Sequence, residues 1–161
     1  MEVVFTDTHD TLLDGRYLIL RRLGQGAFGE VFLTRHVGLG VYRAVKRIRK
    51  SKDVHNTRRK EADALKNLRH TSLPIIYDID EDDVYFYIVE EYIEGISLSE
   101  YVRDRTRLAQ DETCSVIMSI CTVLSYMQTQ AGLLHLDIKP DNVLLLSLIH
   151  ISEPTRPISI S

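Results

Sequence analysis

The chain has 161 residues, 44% hydrophobic and 27% charged, with a formal net charge of −3. These values fit one packed domain or part of a larger one, exclude wholesale disorder, and give no general electrostatic reason to bind nucleic acid or a membrane surface. The start MEVVFTDTHDTLLDG lacks the basic and apolar stretches of a signal peptide, and no apolar run in this chain approaches the ~20 residues of a membrane-crossing helix.

Residues 1–15 read as an acidic, threonine-rich leader. Arg16–Leu23 and Glu30–His36 are rich in β-formers, flank a glycine cluster, and predict a hairpin. Val41–Ile48 predicts a third strand, overlapping a basic stretch from Arg43 to Lys60 most of which reads as solvated surface. Val54–Arg69 predicts a helix, with Ala62, Leu65 and Leu68 at helical spacing. Pro74–Asp80 and Val84–Tyr92 predict two more strands, joined by the acidic turn Glu81-Asp82-Asp83. Leu98–Arg103 predicts a short helix. Asp111–Gln130 predicts a longer one that ends at Gly132, a residue suited to a C-terminal cap. Cys114 and Cys121 fall in that helix, about 10 Å apart along its axis. That is beyond disulfide reach, and free thiols fit a reducing cytoplasm. The element order implies an α+β chain, a small β-rich lobe followed by a helical one.

Three segments carry chemistry. Gly24-Gln25-Gly26-Ala27-Phe28-Gly29-Glu30-Val31 has the pattern G-x-G-x-x-G-x-V. Glycines there let backbone N–H groups close on phosphates, because no Cβ intrudes. A dinucleotide fold would place a helix directly after the glycines. A strand is predicted instead, which leaves a plain hairpin turn and a phosphate-covering flap. In Ala44-Val45-Lys46 the alternation of a strand puts Ala44, Lys46 and Ile48 on one face. A lysine among apolar neighbours needs a partner for its charge. Glu61, one helical turn before Leu65, is a candidate, and two ordinary surface charges are the alternative. The third segment is His135-Leu136-Asp137-Ile138-Lys139-Pro140-Asp141-Asn142. Asp137 is a possible acceptor for a hydroxyl proton. Lys139 is suited to stabilise a transferring phosphoryl group, and Asn142 to bind magnesium through its amide oxygen. Val143-Leu144-Leu145 behind it reads as a buried anchor.

Together these segments, in this order over residues 16–145, resemble the protein kinase family. The resemblance implies a protein kinase-like fold: a complete first lobe over residues 16–92, with a five-stranded antiparallel sheet and one helix, then the start of a truncated helical lobe over 93–145. It also implies ATP and Mg2+. Gly24, Gly26 and Gly29 then match the flap over ATP, Lys46 the lysine holding the α- and β-phosphates, and Glu61 its partner on the helix. His135 matches the structural histidine, Asp137 the catalytic base, Lys139 the phosphate-contacting lysine and Asn142 a magnesium ligand. Leu23, Val31 and Ala44 would roof the adenine and Leu144 would floor it. Glu91 and Ile93 would offer it backbone hinge groups. The Asp-x-Lys-Pro-x-Asn form looks like the serine/threonine branch, and the Gly-Arg-Tyr lead and the Glu-Gly after the hinge look like bacterial members. The partners implied are ATP and a protein carrying Ser or Thr, with a cytoplasmic kinase domain. An ATP-binding pseudokinase or regulatory module is the alternative.

Three departures qualify the resemblance. Leu136 stands where many kinases carry an Arg that pairs with a phosphorylated activation loop. Glu90 stands at a position that is usually apolar, where a carboxylate must find a partner or water. After Asp141 the chain has no Asp, although the family carries magnesium on one there. Residues 146–161 instead resemble a translated transposase adapter from sequencing-library preparation, read here as foreign to the gene. The expectation that follows is an inactive, poorly soluble polypeptide whose apolar stripe Val116, Ile120, Val123 and Met127 faces water.

Overall fold

The computed structural model describes residues 11–26, 29–50, 63–105, 108–132, 138–146 and 158–160, with Arg105 and 158–160 described by backbone alone. The expected Glu61, His135, Leu136 and Asp137, and most of the helix expected over 54–69, lie outside the described residues. The chain divides into two compact units, Met1–Lys66 with Ile76–Tyr92, and Asn67–Ile75 with Ile93–Ser161.

The first unit is a six-stranded sheet. Its strands are β1 (Thr11–Leu12), β2 (Tyr17–Gly26), β3 (Gly29–His36), β4 (Tyr42–Arg49), β5 (Ile76–Glu81) and β6 (Tyr85–Glu91). The order is β1-β2-β3-β4-β6-β5, and every neighbouring pair is antiparallel. Five of these are the expected strands, so the sheet has one strand more than expected. The extra strand forms because Leu13, Asp14 and Gly15 all take positive φ, and the Arg16 N–H closes that turn on the Leu13 carbonyl at 3.1 Å. Leu12 and Leu13 thereby enter the core, so the end of the leader belongs to the sheet.

Alternation along the strands sorts the two faces. Phe32, Val45 and Val89 lie in one register row across β3, β4 and β6. With Leu12, Leu13, Tyr17 and Tyr87 they form the main core. Ile48 and Phe86 form a second cluster, with Ile79 and Ile88 packed against it. Val45 and Val89 are fully buried. Val45→Ala is therefore expected to cost about 2 kcal/mol, the transfer of two methyl groups plus an unfilled cavity. Denaturant unfolding checks this, with Tyr42→Ala at an exposed neighbouring position as a near-silent control.

The basic stretch is less solvated than expected. The Arg47 guanidinium lies 4.9 Å from the ring centroids of both Phe32 and Tyr85, and bonds Glu30 at 2.7 Å. That bond holds the Glu30 carboxyl below its ordinary range. The acidic turn behaves as expected. Asp82 accepts the backbone N–H groups of Val84 and Tyr85 and the hydroxyl of Tyr87.

Helix α1 is described over residues 63–66, and Asn67 is already a turn. It stops short of the expected Arg69. The Arg69 N–H bonds the Tyr126 hydroxyl at 3.1 Å instead of continuing the helix, and Leu68 is buried at the exit.

The second unit contains β7 (Gly95–Ser97), α2 (Leu98–Arg105), α3 (Gln110–Ala131), a 3-10 turn (Pro140–Asn142), β8 (Val143–Leu146) and β9 (Ile158–Ile160). The three strands pair antiparallel in the order β7-β8-β9. Ser97 and Glu100 cap α2 reciprocally. Ser97 gives both its N–H and its Oγ–H to the Glu100 carboxylate, and Glu100 gives its N–H to the Ser97 Oγ. At the far end of α3, Gly132 takes φ 63° and its N–H reaches the Gln128 carbonyl, the expected cap.

The stripe on α3 corrects an expectation. Val116, Val123 and Met127 are buried, not water-facing. Val116 packs with Val143, with Leu98, Ile120 and Leu145 around them. Apolar groups of α2 and β8 within the same unit thus cover part of the stripe. The apolar residues of α3 that do meet water are Ile117 and Met118, and Cys114 and Cys121 are free and exposed.

Candidate active site

In the first unit the expected site residues Val31, Ala44 and Lys46 fall on one face of β3 and β4. Val31 pairs with Lys46, and Lys46 with Ile88. One step along, Leu33 pairs with Ala44, and Ala44 with Glu90. Val31, Ala44, Lys46, Ile88 and Glu90 therefore share a face, which the alternation in the sequence implied for Ala44 and Lys46. Ala44 is buried, and Val31 and Lys46 are partly buried. Leu23 sits at an irregularity between Arg22 and Gly24 that displaces it from the regular pairing with β3.

The glycine segment joins strand to strand, as expected. Gly26 pairs with Gly29, and Gly24 with Val31. The three glycines differ. A Cβ on Gly24 or Gly26 would meet open space, whereas one on Gly29 would collide with the Arg47 carbonyl, at a φ of 136°. Gly29 is thus needed by the fold, while Gly24 and Gly26 leave room above the sheet. Gly29→Ala is expected to lower the melting temperature by several degrees more than Gly24→Ala or Gly26→Ala, as thermal unfolding of the three variants would show.

Glu90 is the electrostatic exception on this face. Burial pushes its carboxyl up from 4.5 to about 7, and the positive charge of Lys46 opposes that rise. Some of the residue's surface still meets solvent. The cause of the rise is desolvation of the carboxyl, which disfavours its charged form.

In the second unit, Lys139 is exposed just ahead of the 3-10 turn. The Asn142 N–H bonds the Lys139 carbonyl at 2.9 Å, which fixes the turn between them. Val143 is 1% exposed and anchors the turn, while Leu144 and Leu145 are partly buried. β8 is held by β7, with Ser97 opposite Leu144 and Gly95 opposite Leu146. The Ser99 hydroxyl bonds the Asp141 carboxylate at 2.9 Å, tying the start of α2 to the turn. Sequence reasoning did not single out Ser97 or Ser99. The available signal was the Ser-x-x-Glu box at 97–100. Glu91 ends β6 opposite Arg43 in the first unit. Ile93 lies outside any strand at the start of the second. The first unit offers an ammonium on a half-buried strand face and a glycine hairpin, and the second, by itself, offers a turn presenting an ammonium and an amide.

The model of the protein kinase domain matches residues 17–152. The chain belongs to the protein kinase family. The match runs past Leu145 into the segment read as foreign. Among similar curated proteins, serine/threonine-protein kinase PrkC of Bacillus subtilis is 33% identical over 137 residues, covering 83% of this chain and 21% of that protein. Serine/threonine-protein kinase D of Synechocystis is 31% identical over 84% of this chain and 28% of its own length. Serine/threonine-protein kinase PknA of Nostoc is 30% identical over 84% of this chain and 26% of its own length. The chain thus spans under a third of each of these relatives. The curled antiparallel sheet of the first unit, followed by helices, is the kinase fold expected from the residue pattern.

Proposed function

We propose that this chain is the ATP-binding and catalytic-loop portion of a serine/threonine protein kinase, which moves the γ-phosphoryl group of ATP to a Ser or Thr hydroxyl of a protein in the cytoplasm. The observation that carries the reading is Lys46, in register with Val31 beside the glycine hairpin and on one face with Ala44. In this reading Gly24 and Gly26 bring backbone N–H groups to the phosphates and Lys46 neutralises them. Leu23, Val31, Ala44 and Leu144 contact the adenine, and Glu91 and Ile93 offer it backbone groups. Glu61 supports Lys46. Asp137 accepts the hydroxyl proton, and Lys139 steadies the phosphoryl group in flight. Asn142 presents an amide oxygen, a donor type that suits Mg2+. The metal, when bound, neutralises charge on the phosphates.

Residues 146–161 are, on this reading, foreign to the gene. Sequencing the genomic locus beyond the codon for Leu145 tests that point, and a continuation unlike 146–161 with an Asp-Phe-Gly segment is expected. The 161-residue polypeptide is expected to turn over no ATP, because no Asp follows Asp141. It is still expected to bind Mg–ATP, with Lys46→Met weakening binding at least tenfold. Calorimetric titration tests the reading. Equal affinity in wild type and Lys46→Met would remove Lys46 from the nucleotide site.

A further inference from the structure

We propose that Glu90 is a positioning residue for Lys46, holding the lysine ammonium from β6 and yielding it when phosphate oxygens arrive. The register makes the two residues diagonal neighbours. Ala44 is opposite Glu90, and Lys46 is opposite Ile88. Diagonal pairs on one face are within reach of long side chains. The surroundings leave the carboxylate in need of a cation. Ala44, Ile48, Phe86 and Ile88 on that face are apolar, and Ile76 is the register partner of Glu90 on β5. Asp78, across the bulge on β5, is engaged by Arg16 at 3.3 Å. Among the described residues, the charge acting on Glu90 is that of Lys46.

The consequence for nucleotide rests on the kinase reading above. Phosphate oxygens and the Glu90 carboxylate compete for one ammonium. Protonating Glu90 removes the competitor, so Mg–ATP binds more tightly at pH 6 than at pH 8. By linkage, bound Mg–ATP draws Lys46 away and makes Glu90 harder to ionise. On that reading Glu61, outside the described residues, is the other carboxylate expected to serve Lys46, and Glu90 is the one that lies on the sheet.

Carbon-13 NMR of the glutamate carboxyls in the 161-residue chain tests this, with the Glu90 signal assigned by its loss in Glu90→Gln. In wild type the Glu90 signal is expected to titrate near 7. In Lys46→Met its midpoint is expected to move higher by about one pH unit or more. Lys46→Arg keeps the charge and is expected to stay near wild type, which separates lost charge from lost fold. Saturating Mg–ATP is expected to move the wild-type midpoint upward too. An unchanged midpoint in Lys46→Met overturns the pairing. A midpoint that ignores bound Mg–ATP overturns the exchange of partners. A chain that binds no Mg–ATP at all sinks the kinase reading, and the variant comparison still decides the pairing.

Discussion

Asp137→Asn, in a chain extended to the length of a whole kinase domain, is expected to lower kcat by about 10²–10⁴-fold while leaving the affinity for Mg–ATP near wild type. A carboxylate that accepts the hydroxyl proton acts in the transition state, so its loss falls on kcat. Asparagine keeps the shape and removes the base. Lys46→Met in the same extended chain contrasts with it, because a phosphate-positioning ammonium contributes to bound nucleotide as well as to the reaction. Its effect is expected in both KM for ATP and kcat. Radiolabel transfer from γ-labelled ATP to a generic protein substrate measures both. An Asp137→Asn enzyme with wild-type turnover would remove that residue from the mechanism. A loss confined to KM would make it a binding group.

Leu136 gives that experiment a second use. A leucine has no charge to pair with a phosphorylated activation loop. Activity of the extended chain is therefore expected without prior loop phosphorylation, so the unphosphorylated protein is the right starting material for both variants.

The parts of this molecule legible in the sequence are those where local chemistry and periodicity agree. The glycine pattern followed by β-formers gave the β2–β3 hairpin, because a strand where a helix would otherwise follow excludes the dinucleotide alternative. The alternation around Lys46 placed it beside Ala44 and Ile48 correctly. Gly132 marked the end of α3 because a left-handed residue is needed there. Elements that exist only through distant pairing were not legible. Thr11–Leu12 is two residues long and becomes a strand by pairing with Tyr17 and Leu18. Gly95–Ser97 is three residues and depends on Leu144–Leu146, nearly fifty positions on. Arg47 looked like one more surface cation, since nothing local shows that Phe32 and Tyr85 flank it. The cover over Val116 comes from Leu98, Val143 and Leu145, which no helical periodicity reveals. In the site, the Glu90 anomaly was visible as a residue type, but its neighbour across the sheet required the register.

Glu90 is also expected to make the chain less stable as pH rises, and Glu90→Gln to remove that loss. Its carboxyl ionises near 4.5 in an ordinary setting and near 7 in the folded protein. Below pH 4.5 both states hold the proton, and the neutral buried group contributes fully. Between 4.5 and 7 the unfolded chain releases the proton and the folded chain keeps it. Stability therefore falls as pH rises through this window and levels off above 7. The interval corresponds to a loss of about 3 kcal/mol at most. The carboxyls of Glu30, Asp82 and Glu100 are held below their ordinary values. Their contributions are lost at more acid pH, below the window in which Glu90 acts. Denaturant unfolding of wild type and Glu90→Gln at pH 5, 6, 7 and 8 measures the difference, and groups common to both proteins cancel. The two proteins are expected to be closest in stability at pH 5, with the variant gaining by up to about 3 kcal/mol by pH 8. Glu90→Met, which places an apolar group against Ile76, Ala44 and Ile88, is expected to keep that advantage. Parallel profiles across the range would mean that the folded protein does not hold the proton on Glu90, because water or the Lys46 ammonium satisfies the carboxylate.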